Sequence, residues 1–157
     1  MSKMLKKHGG RALALTAVSA ASLMLAGCSL FGGEADVFSI EVGDCLNDAS
    51  SSGEVETVPK VDCSEPHDSE AFATHDLADG DYPAQDAMFA EADAECEAAF
   101  DGYVGVSYDE STLAYSYYFP TEESWATGDR EILCVLIEVD ASGNAVQTTG
   151  SLKDSGK

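Results

Sequence analysis

The sequence predicts a single α+β domain, in which a small antiparallel sheet is covered by one main helix and one short helix and is cross-linked by two disulfides. Three observations support this class. Residues 83–100 carry apolar side chains at helical spacing, several other segments alternate apolar and polar residues as strands do, and the apolar run 132–137 suits a central strand covered on both faces. We place the domain at residues 37–152 and expect residues 153–157 to be frayed.

The N-terminal residues have the order of a bacterial export signal. Lys and Arg residues, with no acidic residue, precede an uncharged run over 12–26, which is shorter than the roughly 20 residues that span a bilayer. The run ends in Leu25-Ala26-Gly27-Cys28, which resembles the bacterial lipobox, whose cysteine thiol takes a diacylglyceryl group. We therefore expect a cleaved signal peptide at 1–27 and a lipidated N-terminus with a short linker at 28–36. Cys28 then anchors the protein on the extracytoplasmic face of the cell membrane.

The composition of the exported part is strongly acidic. The leader contains four of the eight Lys and Arg residues and none of the 29 acidic residues, so its removal leaves the domain more negative than the full chain, whose formal net charge is −21. Binding to nucleic acid requires a positive field, and nucleic acid is therefore excluded as a partner. Cations, basic proteins and basic peptides fit the charge better. A surface this acidic also keeps an exported domain soluble without any binding role.

The first two predicted strands flank a loop rich in Ser, Asn, Asp and Gly. Residues 37–45 have the β-branched and aromatic content of a strand. Residues 55–63 form a second strand, in which Pro59 indicates an edge or a bulge. An antiparallel hairpin of the two would bring Cys45 close to Cys63. A disulfide between them would stabilise the fold by about 3 kcal/mol in the chain-entropy model.

The predicted main helix ends before Gly102. Cys96 lies on its apolar face, which points at the sheet, and Cys134 lies in the predicted central strand, so a bond between these two would join helix to sheet. Four cysteines in an exported domain allow three pairings, and we favour Cys45 with Cys63 and Cys96 with Cys134. The spacing contains no CxxC motif, which argues against a zinc knuckle or a thioredoxin-like redox pair.

The remaining predicted elements complete the sheet. Residues 70–74 form a third strand, and residues 113–119 alternate as another. A short helix over 121–125 begins with a threonine cap and has acidic residues in its first turn. The turn over 140–144 leads into a final strand near 145–152.

The two histidines of the exported part lie in or beside the third predicted strand. His67, His75 and the acidic residues near them match no zinc spacing, and the acidic turn that follows lacks the residue order of a calcium loop. We therefore expect no metal site and no cofactor, and we expect the His67 ring to be held by a backbone carbonyl or by Glu70. The chain also lacks a GxSxG motif, so we expect no catalytic residue and no enzymatic activity.

Three further side chains are candidates for binding. Most residues of the aromatic segment are expected to form core, but Tyr118 lies on the opposite face from Tyr115 and Tyr117 and is expected to be the most exposed, and Trp125 follows it. Exposed aromatic residues form platforms for carbohydrates or peptides. Arg130 lies among acidic residues, where we expect a structural ion pair, with anion recognition as the alternative.

Residues 42–45, 61–72 and 117–134 together resemble the actinobacterial septum formation family. The most specific part is the Cys-x-x-Pro-His-x-x-Glu motif that runs from Cys63 to Glu70. The resemblance implies a small extracytoplasmic domain, tethered by a lipid or a transmembrane helix, with paired cysteines and no established enzymatic activity. The family name points to cell division or the cell envelope.

Two functions follow as expectations. The first is a non-catalytic, membrane-anchored envelope lipoprotein that takes part in septum formation through contacts with an envelope or division protein. The second is an extracytoplasmic binding module for a cation, a carbohydrate or a peptide, which would use the acidic turn or the aromatic face. A melting temperature that rises with calcium or with cell-wall fragments would favour the second function.

Overall fold

The computed structural model of the protein describes residues 33–49 and 53–157. The predicted signal peptide at 1–27 and the predicted lipidation site Cys28 lie outside the described residues. Within the described residues, no helix is both long enough and apolar enough to cross a membrane.

The described part of the chain forms one antiparallel sheet with two α-helices. The strands are β1 (Glu34–Asp36), β2 (Cys45–Leu46), β3 (Thr57–Val61), β4 (Ser69–Asp76), β5 (Leu113–Tyr118), β6 (Glu131–Val139) and β7 (Ala145–Val146). The helices are α1 (Gln85–Val104) and α2 (Glu122–Ala126). The sheet order is β1-β3-β2-β4-β6-β5, with β7 also paired to β6, and α1 packs on one face. This arrangement confirms the predicted α+β class.

Strand β6 is the centre of the fold, as its apolar run predicted. It pairs with β4 on one side and with β5 on the other. Alternate side chains enter two separate cores: Cys134 and Leu136 pack toward α1 with Phe100, whereas Leu133 and Val135 pack on the opposite face. Both faces of β6 are therefore covered, which explains why nearly every position in it is apolar.

The two favoured disulfide pairings are confirmed. Cys45 in β2 is bonded to Cys63, just after β3, with a Cα–Cα distance of 5.3 Å. Cys96 in α1 is bonded to Cys134 in β6, with a Cα–Cα distance of 5.6 Å. The second bond fixes the main helix to the central strand.

The N-terminal segment differs from its prediction. Residues 37–45 do not form one strand, because a 3₁₀ turn covers Val37–Ser39 and only Cys45–Leu46 joins the sheet. The carboxylate of Asp36 accepts a hydrogen bond of 3.0 Å from a backbone N–H two residues later, and Gly43 turns the chain with a φ of +99°. These local contacts outweigh the strand propensity of the apolar residues between them. Strand β1 lies instead within the predicted linker.

The second predicted strand lies inside the sheet, so the edge position inferred from Pro59 was wrong. Strand β3 pairs with β1 on one side and with β2 on the other. Pro59 stands just past the two residues that pair with β2, and its carbonyl accepts a hydrogen bond of 2.9 Å from the N–H of Asn47. Because proline has no N–H, only the last hydrogen bond of the very short β2–β3 ladder is missing.

Helix α1 is longer than predicted. It passes through Gly102 and ends where Gly105, with a φ of +90°, donates its N–H to the carbonyl of Asp101 at 2.9 Å. A glycine ends a helix by adopting a left-handed backbone conformation. Gly105 does so, whereas Gly102 keeps the helical conformation. The buried face of α1 consists of Met88, Ala92, Cys96, Phe100, Tyr103 and Val104.

Helix α2 begins as predicted. The hydroxyl of Thr121 accepts a hydrogen bond of 3.1 Å from the N–H of Ser124. In return the hydroxyl of Ser124 accepts one of 2.9 Å from the N–H of Thr121, so each side chain satisfies a backbone donor at the helix start. Glu122 and Glu123 occupy the first turn, where the helix dipole favours negative charge.

The final strand is shorter than the predicted 145–152. Only Ala145–Val146 pairs with β6, and Thr148 forms an isolated bridge with His67. The chain then turns at Gly150, which has a φ of +88°.

The C-terminal residues 153–157 pack against the end of α1 and are not frayed as predicted. The N–H groups of Asp154 and Gly156 donate to the carbonyls of Tyr103 and Val104 at 2.8 and 2.9 Å. Carbonyls in the last turn of a helix have no partner within it. The tail is therefore held because it completes the hydrogen bonding of α1.

Candidate functional site

A groove opens on the face of the sheet that α1 does not cover. Its base is formed by Tyr118, Leu133, Val135 and Ile137, and its volume is about 1550 Å³. Its walls are segments 37–38, 48–49, 53–56, 82–85 and 121–124. We call this feature the acidic groove.

The acidic groove has carboxylates on its walls and apolar side chains at its base. Its acidic residues are Asp48, Glu54, Glu56, Asp68, Glu122, Glu123, Asp129 and Glu131. The described lining includes no Lys or Arg. Low-dielectric walls of one charge sign concentrate the electrostatic field between them, so the groove attracts positively charged groups.

The cations of the described domain all lie elsewhere. Lys60 pairs with Asp44, Arg130 with Asp79 and Lys157 with Glu138, at 2.6, 3.2 and 2.8 Å. The fourth, Lys153, lies 5.9 Å from the ring centroid of Tyr103. None of the four cations lines the groove, and the carboxylates with which three of them pair are not groove residues. The groove acids therefore have no countercharge within the described residues.

Glu131 shows the effect of this crowding. Partial burial raises the pKa of its carboxyl, and the negative charges of Asp76 and Asp129 raise it further. A raised pKa means that the charged carboxylate is less favourable in the folded protein than in the unfolded chain. A cation bound beside Glu131 would relieve this cost.

We expect Glu131→Gln to stabilise the domain at pH 7 by less than about 1 kcal/mol, since the site is partly exposed. Because the folded-state pKa is raised, the folded chain binds more protons than the unfolded chain between the two pKa values, and stability falls as pH rises through that window. The gain should therefore disappear at about pH 3.5, where the carboxyl is protonated in both states. Urea denaturation at both pH values measures this. An exposed wall acid, changed as Glu54→Gln, is the control, and a wild type as stable as Glu131→Gln at pH 7 would contradict the expectation.

Aromatic side chains line the groove, but Tyr118 is not the most exposed of them, contrary to its prediction. Tyr118 is half-buried, and its hydroxyl donates a hydrogen bond of 2.7 Å to Asp48. Burial, and then this hydrogen bond, raise the pKa of the Tyr118 phenol. Phe38 and Phe119, which also line the groove, are more exposed than Tyr118, with 62% and 38% of their surfaces accessible to solvent. Together these three residues give the groove apolar contact area.

Trp125 and Arg130 support the groove from behind. Trp125 is buried, and its indole N–H donates to the carbonyl of Gly80 at 3.1 Å. The Arg130 guanidinium lies 3.7 Å from the ring centroid of Trp125, and it donates to the carbonyl of Trp125 at 3.0 Å. Arg130 is paired, as predicted, and its partner is Asp79 across the fold. These contacts hold α2 in place as part of the groove wall.

His67 and Glu70 lie together, fully buried and away from the groove. Nδ1 of His67 lies 2.8 Å from the carbonyl of Glu65, so the ring is held by a backbone carbonyl, as predicted. Glu70 accepts short hydrogen bonds from the Tyr103 hydroxyl, the Ser151 hydroxyl and the Leu152 N–H, at 2.6, 2.7 and 2.6 Å. This carboxylate therefore links β4 to the end of α1 and to the C-terminal segment.

The five predicted binding residues thus fall in three places. Tyr118 lines the acidic groove, Trp125 and Arg130 stand behind its wall, and His67 and Glu70 form a buried cluster. Sequence reasoning missed the groove itself, because its acids come from segments far apart in the chain. The only signal for it was the overall excess of negative charge.

Comparisons with known proteins gave one match. The model of a protein family described as septum formation matches residues 42–157. This range includes both disulfides, both helices and every strand except β1. Neither the curated proteins nor the solved structures gave a match.

Proposed function

Because the chain belongs to the septum formation family, we propose that it is a non-catalytic envelope lipoprotein that acts in septum formation by binding another protein. The match links the domain to septum formation. Membrane anchoring, the extracytoplasmic location and the binding of a protein partner are our proposal. The observation that carries the binding role is the acidic groove.

The occupant proposed for the groove is a protein segment that carries Lys or Arg together with apolar side chains. Eight groove acids without a countercharge among the described residues complement a basic segment, and complementary charge speeds and orients association. The exposed rings of Phe38 and Phe119 complement the apolar side chains of such a segment. A free cation would use the acids alone, and a neutral carbohydrate would use the aromatic rings alone.

The sequence supports an anchor close to the domain. Five residues lie between Cys28 and Glu34, the first residue of β1. Even fully extended, this stretch reaches only about 20 Å. A domain lipidated at Cys28 would therefore stay near the membrane, so its partner must present the basic segment there.

A fluorescent fusion expressed from the native promoter tests the anchor and the septal role together. We expect the wild-type fusion to concentrate at the division septum and to fractionate with membranes. Cys28→Ala removes the thiol that takes the lipid, so this variant should leave the membrane fraction and lose its septal enrichment. Ser29→Ala is the matched control and should behave as wild type. Uniform envelope fluorescence of the wild type through the division cycle would contradict the septal role, and membrane association of Cys28→Ala would contradict the anchor.

A further inference from the structure

A second cluster of ligand-type side chains lies beside the Cys45–Cys63 disulfide, separate from the acidic groove. A ring nitrogen of His67, a carboxylate oxygen of Glu70 and the sulfur of Cys45 lie within 4.8 Å of one another. All three residues are completely buried. Imidazole nitrogen, carboxylate oxygen and thiolate sulfur are the three ligand types that zinc takes in proteins.

His67 has one nitrogen available as a ligand. Nδ1 lies 2.8 Å from the carbonyl of Glu65, and because a carbonyl only accepts, Nδ1 carries the proton. The lone pair of the neutral ring is then on Nε2, which is buried without a hydrogen-bond partner among the described residues. A buried polar atom without a partner is costly. In metal-binding histidines, the N–H of the other ring nitrogen commonly donates a hydrogen bond to a backbone carbonyl in this way.

Glu70 and Cys45 face each other in this cluster. The sulfur of Cys45 lies 3.7 Å from Oε2 of Glu70, and a disulfide sulfur has no proton to donate, so this contact is not a hydrogen bond in the oxidised protein. Three donors already fix the orientation of the Glu70 carboxylate. Two of the three candidate ligands, Glu70 and His67, are therefore held in position before any ion arrives.

We infer that reduction of the Cys45–Cys63 disulfide creates a three-ligand site for Zn²⁺, formed by Cys45 Sγ, His67 Nε2 and Glu70 Oε2. A thiol reductant supplies the two electrons: the S–S bond breaks, both cysteines become thiols, and the reductant becomes its own disulfide. Zn²⁺ then binds Cys45 as the thiolate and releases its proton. Cys63 is only half-buried and can turn toward solvent, whereas Cys45 stays beside the other ligands. Water completes the tetrahedral coordination.

Two single-cysteine variants of the purified full chain test this site without any reductant. Cys63→Ser leaves Cys45 as a free thiol in the cluster, whereas Cys45→Ser breaks the same disulfide and leaves a thiol outside it. We expect Cys63→Ser to bind one equivalent of Zn²⁺ in equilibrium dialysis, and to give thiolate-to-metal absorption with Co²⁺, while Cys45→Ser and the oxidised wild type do neither. Adding His67→Gln to Cys63→Ser should weaken the affinity at least about tenfold, and adding His75→Gln should not change it.

Equal Zn²⁺ uptake by the two single-cysteine variants, no uptake by Cys63→Ser, or uptake insensitive to His67→Gln would overturn the inference. Alkylation of the reduced wild type gives a second measurement should Cys63→Ser fail to fold. Bound Zn²⁺ should slow the modification of Cys45, read by mass spectrometry, without protecting Cys63. Equal protection of both cysteines, or none, would also overturn it.

Discussion

Replacing Cys96 and Cys134 together by alanine is expected to lower the free energy of unfolding by about 4 kcal/mol in the chain-entropy model. The bond closes a sequence separation of 38 residues, against 18 for Cys45–Cys63, and the longer loop has more entropy to lose in the unfolded chain. A domain of this size has a total stability of roughly 5–15 kcal/mol. The double variant should therefore lose about a quarter or more of its stability, which chemical denaturation of the oxidised proteins would measure.

The matched control is the other pair, Cys45→Ala with Cys63→Ala. Its expected loss is about 3 kcal/mol, because its loop is shorter. The bond between Cys96 and Cys134 also joins α1 to β6, so its removal should reduce the protection of the α1 amides from hydrogen exchange. If the loss of stability for the Cys96 and Cys134 variant were no greater than that for the Cys45 and Cys63 variant, the expectation would be contradicted.

Glu70→Ala is expected to cost about 4 kcal/mol of stability, because each buried donor that loses its acceptor costs about 1–3 kcal/mol. The carboxylate is completely buried and accepts three hydrogen bonds from Tyr103, Ser151 and Leu152, none longer than 2.7 Å. Alanine leaves the buried Tyr103 hydroxyl and the buried Leu152 N–H without an acceptor, whereas the hydroxyl of the exposed Ser151 can bond to water. Glu70→Gln keeps the shape of the side chain but turns an amide N–H₂ toward these donors, so about half of the loss should remain. Urea denaturation of the two variants beside wild type measures both effects.

Glu138→Gln is the control for Glu70, because it also removes a strand carboxylate with hydrogen-bond partners. Glu138 pairs with Lys157 at 2.8 Å on the surface, and that contact lowers the pKa of the Glu138 carboxyl. Surface pairs contribute at most about 1 kcal/mol. If Glu70→Ala destabilised the protein as little as Glu138→Gln, the buried carboxylate would not hold the three segments together.

The parts of the fold that the sequence predicted are those with a strong local pattern. The helical spacing of apolar residues located α1, and an unbroken apolar run located β6. Because the pattern also placed Cys96 on the buried face of the helix, it favoured the correct partner, Cys134. The spacing of apolar residues therefore predicted both a helix and the disulfide that links it to the sheet.

The secondary-structure predictions were wrong where a single polar contact or a single glycine sets the backbone conformation. The 3₁₀ turn that replaced the first predicted strand depends on the Asp36 carboxylate, and the end of α1 depends on which of two glycines adopts a positive φ. The tail was predicted to be frayed because its composition is polar, yet Asp154 and Gly156 bond to carbonyls that the helix leaves free. Composition does not report such partners.

The candidate site was the least predictable part. The hydroxyl of Tyr118 is covered by its bond to Asp48, which is 70 residues away in the chain, so the alternation of its strand could not report its exposure. The groove acids come from the loop after β2, from the segments before β3, β4 and β6, from helix α2 and from strand β6. Long-range packing brings them together, and no spacing in the sequence encodes it.

Septal localisation of groove variants tests the central claim most directly. One fusion carries Gln at four exposed wall acids, and its control carries Gln or Asn at four exposed acids outside the groove. The groove set is Glu54, Glu56, Glu122 and Glu123, and the control set is Glu65, Glu97, Asp101 and Asp109. Both sets remove four negative charges, so solubility and net charge change equally.

With matched protein levels, we expect the control fusion to concentrate at the septum like wild type, and the groove fusion to remain in the membrane but spread evenly around the cell. This result would assign septal recruitment to the acidic groove. Septal enrichment of the groove fusion equal to wild type would contradict a role for the groove in partner binding.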